Sequence, residues 1–109
     1  MRVLGSGEFW ESKGSGTIAH NSPKSGKSWL AIIYYNFYLS DKSLTQSQFK
    51  YVTKSQNLGE FYIELGRSDG NSRGAYMTIT DNSVVFRIDS TAYLEDYHRV
   101  SYIILEVDE

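Results

Sequence analysis

Residues 84–89 alternate without a break, with Val84, Phe86 and Ile88 on one side and Val85, Arg87 and Asp89 on the other. A side-chain period of two buries one face only in a β-strand, so this stretch predicts a half-buried strand. Residues 75–80 repeat the pattern: Ala75, Met77 and Ile79 oppose Tyr76, Thr78 and Thr80, and Asp81-Asn82 supplies the polar pair of a tight hairpin. Upstream, Phe61, Ile63 and Leu65 alternate with Tyr62 and Glu64. The segment 66–74 then has no apolar residue until Ala75 and three glycines, which predicts an exposed loop between two strands. Residues 100–107 are apolar on both faces (Val100, Tyr102, Ile104; Ile103, Leu105, Val107), the pattern of a central strand covered on both sides. Residues 29–39 read the same way, and their Ile and Tyr content favours strand over buried helix.

Residues 44–54 are the one stretch where a helix competes. Ser43-Leu44-Thr45-Gln46 has the form of a capping box, and Leu44, Gln48, Tyr51 and Val52 would share a helical face, whereas Phe49-Lys50-Tyr51-Val52-Thr53-Lys54 also permits a strand. Residues 5–28 stand apart, with five glycines, six serines, Pro23 and three lysines. They predict a flexible segment anchored by Phe9-Trp10 and Thr17-Ile18-Ala19, as short edge strands or as a flap. The fold class expected is mainly β: a single antiparallel β-sandwich or open barrel of five to seven strands, with at most one short helix near residues 44–54. The alternative is an α+β curved sheet with one packed helix.

With 109 residues the chain makes one domain, 1–109. Hydrophobic residues at 40% and charged residues at 22% suit a folded globule and exclude a disordered chain. Cysteine is absent, which removes disulfides, thiolate metal sites and cysteine nucleophiles together. The longest apolar run is broken by Asn36 and is far shorter than the roughly 20 residues of a membrane helix. The N-terminus carries one positive charge and no apolar stretch behind it, so no secretory signal is read and a cytoplasmic setting is expected.

The net charge of −2 conceals a gradient. Residues 1–54 carry seven basic side chains against three acidic ones (+4), whereas residues 81–109 carry seven acidic against two basic (−5). Either this is a dipolar surface, or the acidic C-terminal strand lies beside the basic N-terminal half and neutralises it; the second outcome is the expectation.

Motifs for chemistry are sparse. Ser25-Gly26-Lys27-Ser28 matches the end of a phosphate-binding loop, but Asn21 stands where the first glycine belongs, Pro23 removes an amide donor, and a strand follows where a helix is required. His20 and His98 are the only imidazoles, and no carboxylate lies at a metal-ligand spacing from either, so no metal or cofactor is expected. Nine tyrosines, five phenylalanines and two tryptophans are the remaining signal. Sheets favour such rings, and so do protein interfaces, where they bring large area at small entropic cost.

The leading expectation is therefore a non-enzymatic binding protein that docks on another protein as an inhibitor or adaptor, present as a monomer or a homodimer and free of membranes. Its candidate contacts are Lys24 and Lys27, Arg67 and Arg73, and Tyr93, Tyr97 and His98. The alternative is a small barrel binding single-stranded nucleic acid or a nucleotide through Lys24, Lys27, Lys50 and exposed tyrosines such as Tyr51, against which the pI of 5.6 weighs. A carboxylate–histidine hydrolase ranks below both and needs His20 or His98 against a carboxylate in a concave site.

Overall fold

The computed structural model describes residues 2–10, 14–38, 44–56, 59–68, 71–89 and 98–108, with backbone alone at 36–38, 44–48, 64–68, 71–73, 89 and 98. Eight strands run through them: β1 (Val3–Trp10), β2 (Ser15–Ala19), β3 (Lys27–Tyr38), β4 (Leu44–Thr53), β5 (Phe61–Ser68), β6 (Asn71–Ile79), β7 (Ser83–Asp89) and β8 (His98–Asp108). They form two antiparallel four-stranded sheets, a first in the order β1-β8-β3-β4 and a second in the order β2-β7-β6-β5.

The period-two pattern decides which side chains face inward. Trp29, Ala31 and Ile33 of β3, Val100, Tyr102 and Ile104 of β8, and Val52 of β4 are buried on the inner side of the first sheet. Ile63, Ala75, Met77, Ile79, Val84 and Phe86 are buried on the facing side of the second, and the two sets form one core. Phe9 of β1 and Phe86 of β7 stack across the gap with ring centroids 4.1 Å apart and planes 10° apart. Complete burial of each such side chain is worth roughly 1.5–3 kcal/mol, so the shared core is what joins the sheets.

A polar staple closes one end. The β6–β7 hairpin turns through Asp81-Asn82, with the Thr80 amide donating to the Ser83 carbonyl at 2.9 Å. The Asp81 carboxylate then accepts from Trp29 Nε1 at 3.0 Å and from Lys54 Nζ at 3.0 Å, linking the second sheet to the first. Trp29 is buried, and Asp81→Ala strands its N–H. A loss of about 1–2 kcal/mol is expected in chemical denaturation. The hydrogen bond from Lys54 holds the Asp81 carboxyl below the ordinary carboxylate range. A group with a lowered folded pKa stabilises fully above its unfolded value, about 3.9 for aspartate, and loses that contribution as pH falls through the folded value. The acid-side loss of melting temperature is therefore expected to be shallower in Asp81→Ala than in the parent.

Three expectations need correction. The described residues hold eight strands, above the five to seven expected; the edge strands that residues 5–28 offered both form, as β1 and β2, one in each sheet. β1 enters the core through Leu4 and Phe9, and between them it meets the core with glycines, Gly5 and Gly7 facing Ile104 and Tyr102 in the β1–β8 register. The helix at 44–54, and with it the α+β alternative, is replaced by β4, which pairs with β3 from Tyr38↔Leu44 to Leu30↔Thr53; a single 3-10 turn follows at Lys54–Gln56. Its inward-facing Val52 is buried, whereas Phe49 and Tyr51 are exposed, a pattern that imitates a helical stripe over one turn. The loop at 66–74 is mostly ladder: β5 and β6 stay paired as far as Ser68↔Asn71 after a register shift between Glu64 and Gly66. Residues 100–107 do lie centrally, in β8 between β1 and β3. Among the described residues, no helix is long and apolar enough to cross a membrane.

Tyr102 marks a flaw in the core. It is 4% exposed, its hydroxyl finds no hydrogen-bond partner in the protein, and burial pushes its pKa up to about 12. An unsatisfied interior hydroxyl is destabilising, so Tyr102→Phe is expected to raise stability by about 1 kcal/mol, read as a higher denaturation midpoint at an unchanged slope.

Candidate docking surface

The expected contact residues that are described fall into two groups at opposite ends of β3 and its neighbours. Lys27 starts β3 opposite Asp108, whereas His98 starts β8 opposite Phe37, ten positions along β3, or about 33 Å at strand rise. Lys24 and Lys27 belong to a corner with Arg2, Glu106 and Asp108. Arg67 and Arg73 lie in β5 and β6 toward the hairpin end remote from Asp81, with only their backbone described. Tyr93 and Tyr97 lie outside the described residues. One continuous patch of these side chains is thus not what the fold builds.

Two of the corner's three cations, Arg2 and Lys27, are paired by the strand pairing that makes it. Arg2 Nη2 bonds Glu106 Oε2 at 2.9 Å, the Lys24 amide donates to the same oxygen at 2.8 Å, and Lys27 pairs with Asp108. Arg2 and the Lys24 amide hold the Glu106 carboxyl below its ordinary range; the Lys27 hydrogen bond does the same for Asp108, while Asp108 raises the lysine. A third pair, Arg99 Nη1 to Glu8 Oε1 at 3.3 Å, ties β8 to β1. The first two pairs set N-terminal cations against C-terminal carboxylates. The phosphate-loop lookalike is an ordinary turn: Lys27 N donates to Lys24 O at 2.9 Å, with Gly26 at φ +79°, the value that the third position of a type II turn demands.

Lys50 and Tyr51 point to opposite faces of β4. Lys50 turns toward a shallow hollow between β4 and β5, its ammonium 5.9 Å from the centre of the Phe61 ring, and Tyr51 stands on the outer face. His20 donates Nδ1–H to the Asn21 carbonyl at 2.9 Å, and its Nε2 is buried with no protein partner. No group of three or more metal-binding side chains occurs among the described residues.

The two outer faces differ in kind. That of the second sheet carries a charge over its rings, although Tyr62 and Val85 remain exposed: Tyr62 and Tyr76 pack at 4.9 Å, the Arg87 guanidinium lies 3.7 Å over the Tyr76 ring, and Arg87 reaches Glu60 at 3.3 Å. The outer face of the first sheet is apolar. The register sets its residues in rows across the strands: Val3, Leu105, Leu30 and Thr53, then Ser6, Ile103, Ile32 and Tyr51. A third row brings Glu8, Ser101, Tyr34 and Phe49, with the Tyr34 and Phe49 rings 4.7 Å apart. Val3, Phe49 and Tyr51 are 52%, 60% and 63% exposed. The second sheet covers the inner side of this layer, and no described element covers the outer.

Sequence reasoning missed this face while holding its main clue. Residues 100–107 and 29–39 are apolar on both sides, and cover on both sides was expected. The fold supplies cover on one side and leaves Ile103, Leu105, Leu30 and Ile32 on the other. Compared with protein-family models, with curated proteins and with solved structures, the chain matches none of them.

Proposed function

We propose that this chain is a non-enzymatic docking protein, a two-sheet sandwich that binds another polypeptide through the outer face of β8, β3 and β4 and so acts as an adaptor or inhibitor. One observation carries the reading: the two rows from Val3 to Thr53 and from Ser6 to Tyr51 hold no charged side chain, and they expose a valine and an aromatic ring that nothing described covers. Exposed apolar surface contributes about 25 cal/mol per Å² when buried, and tyrosine, aromatic and aliphatic groups in a flat field are what interfaces concentrate. The outer face of the second sheet exposes Tyr62 and Val85 too, but with the Arg87 guanidinium set over the Tyr76 ring among them.

The test is photo-crosslinking in producing cells, with a photoreactive phenylalanine analogue placed at Tyr51 on the first sheet and, in a second variant, at Val85 on the outer face of the second. A discrete crosslinked polypeptide from position 51 and none from position 85 is the expected result. Equal products from both positions, or none from 51, would overturn the reading.

A further inference from the structure

Resting on that docking reading, we infer that the occupant of the face is a second copy of this chain, seated face to face about a two-fold axis that runs along the strands between β8 and β3. The shape of the rows points there. The central row climbs from Ser6 on β1 through Ile103 and Ile32 to Tyr51 on β4, from the smallest side chain to the largest. A two-fold axis along the strands reverses the row and keeps its height along the strand, so Tyr51 of one copy descends on Ser6 of the other and isoleucine meets isoleucine. The neighbouring row, from Val3 to Thr53, is level and meets itself leucine on leucine. A two-fold axis across the strands would instead set the two tyrosines on each other and leave the Ser6 sides apart. A wedge is thus complementary to its own copy in one of these two orientations.

Charge agrees with shape. The two rows hold no ionised group to select an oppositely charged partner, Glu8 of the third row is paired with Arg99 of its own sheet, and a net charge of −2 per chain opposes self-association weakly. Twisted sheets stack about 10 Å apart with strands roughly 30° from alignment, which this orientation permits. Four strands ~4.8 Å apart and about seven residues long give a footprint of roughly 450 Å² per copy. The total, about 900 Å² before side-chain relief, falls in the range of weak, transient interfaces, which sets the concentration range of the test.

Sedimentation velocity of the full chain from about 1 to 200 µM is expected to show a monomer passing to a species of twice its 12.4 kDa mass. Two variants probe the geometry at exposed positions where folding is unaffected, which thermal melts verify. Tyr51→Glu is expected to weaken the dimer at least tenfold. Ser6→Tyr fills the low side of the wedge and is expected to weaken it as much, although it adds apolar surface; an unspecific sticky face would associate more strongly. The chain has no cysteine, so a bismaleimide of ~10 Å span, the sheet-to-sheet separation, added to equal amounts of Ser6→Cys and Tyr51→Cys chains is expected to join 6 to 51 in preference to 51 to 51 or 6 to 6.

A monomer throughout the concentration range overturns the proposal, and so does tighter association in Ser6→Tyr or a 51-to-51 product in excess. If the purified chain stays monomeric while position 51 still crosslinks a different polypeptide in cells, the dimer fails and the docking reading stands. If position 51 crosslinks nothing in either setting, both fail.

Discussion

Phe86→Ala is expected to cost about 3–5 kcal/mol, a large part of the 5–15 kcal/mol that holds a domain of this size. Phe86 is 2% exposed and lies parallel to Phe9 with centroids 4.1 Å apart, so the truncation removes one ring of the inter-sheet stack and leaves the other without its partner. Gly16 stands opposite on β2, and a methyl there would approach the Phe86 ring to 3.0 Å. The cavity left behind is thus lined by backbone that cannot collapse freely. Urea denaturation followed by tryptophan fluorescence checks the prediction; a loss below about 1.5 kcal/mol would mean that the sheets are joined elsewhere.

Gly7→Val carries the second largest effect, about 3 kcal/mol, at the upper end for overpacking. Gly7 faces Tyr102 in register, and a Cβ there would fall 2.5 Å from the Tyr102 hydroxyl and 2.7 Å from its ring. Tyr102 is buried and has no room to swing away. The cause can be isolated, because Tyr102→Ala empties the space that the valine needs. In a double-mutant cycle the pair is expected to be less destabilised than the sum of its single variants by at least 1 kcal/mol. Additive losses would place the strain in the β1 backbone instead. The unpartnered hydroxyl and the glycine beneath it are two signs of one arrangement, in which β1 gives up side chains so that a large ring can lie flat across it.

What was legible in the sequence follows the core. The β6–β7 hairpin, the strand at 29–39 and the central β8 were read from inward-facing Ala75, Met77, Val84, Phe86, Trp29, Ile33, Val100 and Ile104, because burial writes its period into the residues that undergo it. Ladder hydrogen bonds write nothing there, being made by the backbone. Hence β5 and β6 run on through Arg67, Ser68, Asn71 and Ser72, where no apolar residue signals a strand. Hence too the length of β1 went unread, since glycines separate its buried Leu4 and Phe9, and a helix competed at β4, which meets the core with Val52 while showing its rings to solvent.

The candidate contacts fared as residues chosen by type do when separation in space is unknown. Lys27 and His98 open the two strands that pair with each other, yet antiparallel pairing sends them to opposite ends. Lys50 and Tyr51 are neighbours in the chain and therefore face opposite ways. The lysine-rich turn was visible; that Asp108 would pair with Lys27 and Glu106 with the Lys24 amide depended on β8 arriving beside β3 and β1.

The amino-acid sequence by itself determined a cysteine-free, mainly β chain, the identity of most of its buried face, and the excess of apolar residues on β3 and β8. The tertiary structure alone decided that this excess would form a ramp from Ser6 to Tyr51 on one side of one sheet. Alternation assigns a residue to one of two faces, but which face is left open, and which strands lie beside each other there, is set by pairing between segments up to about a hundred residues apart.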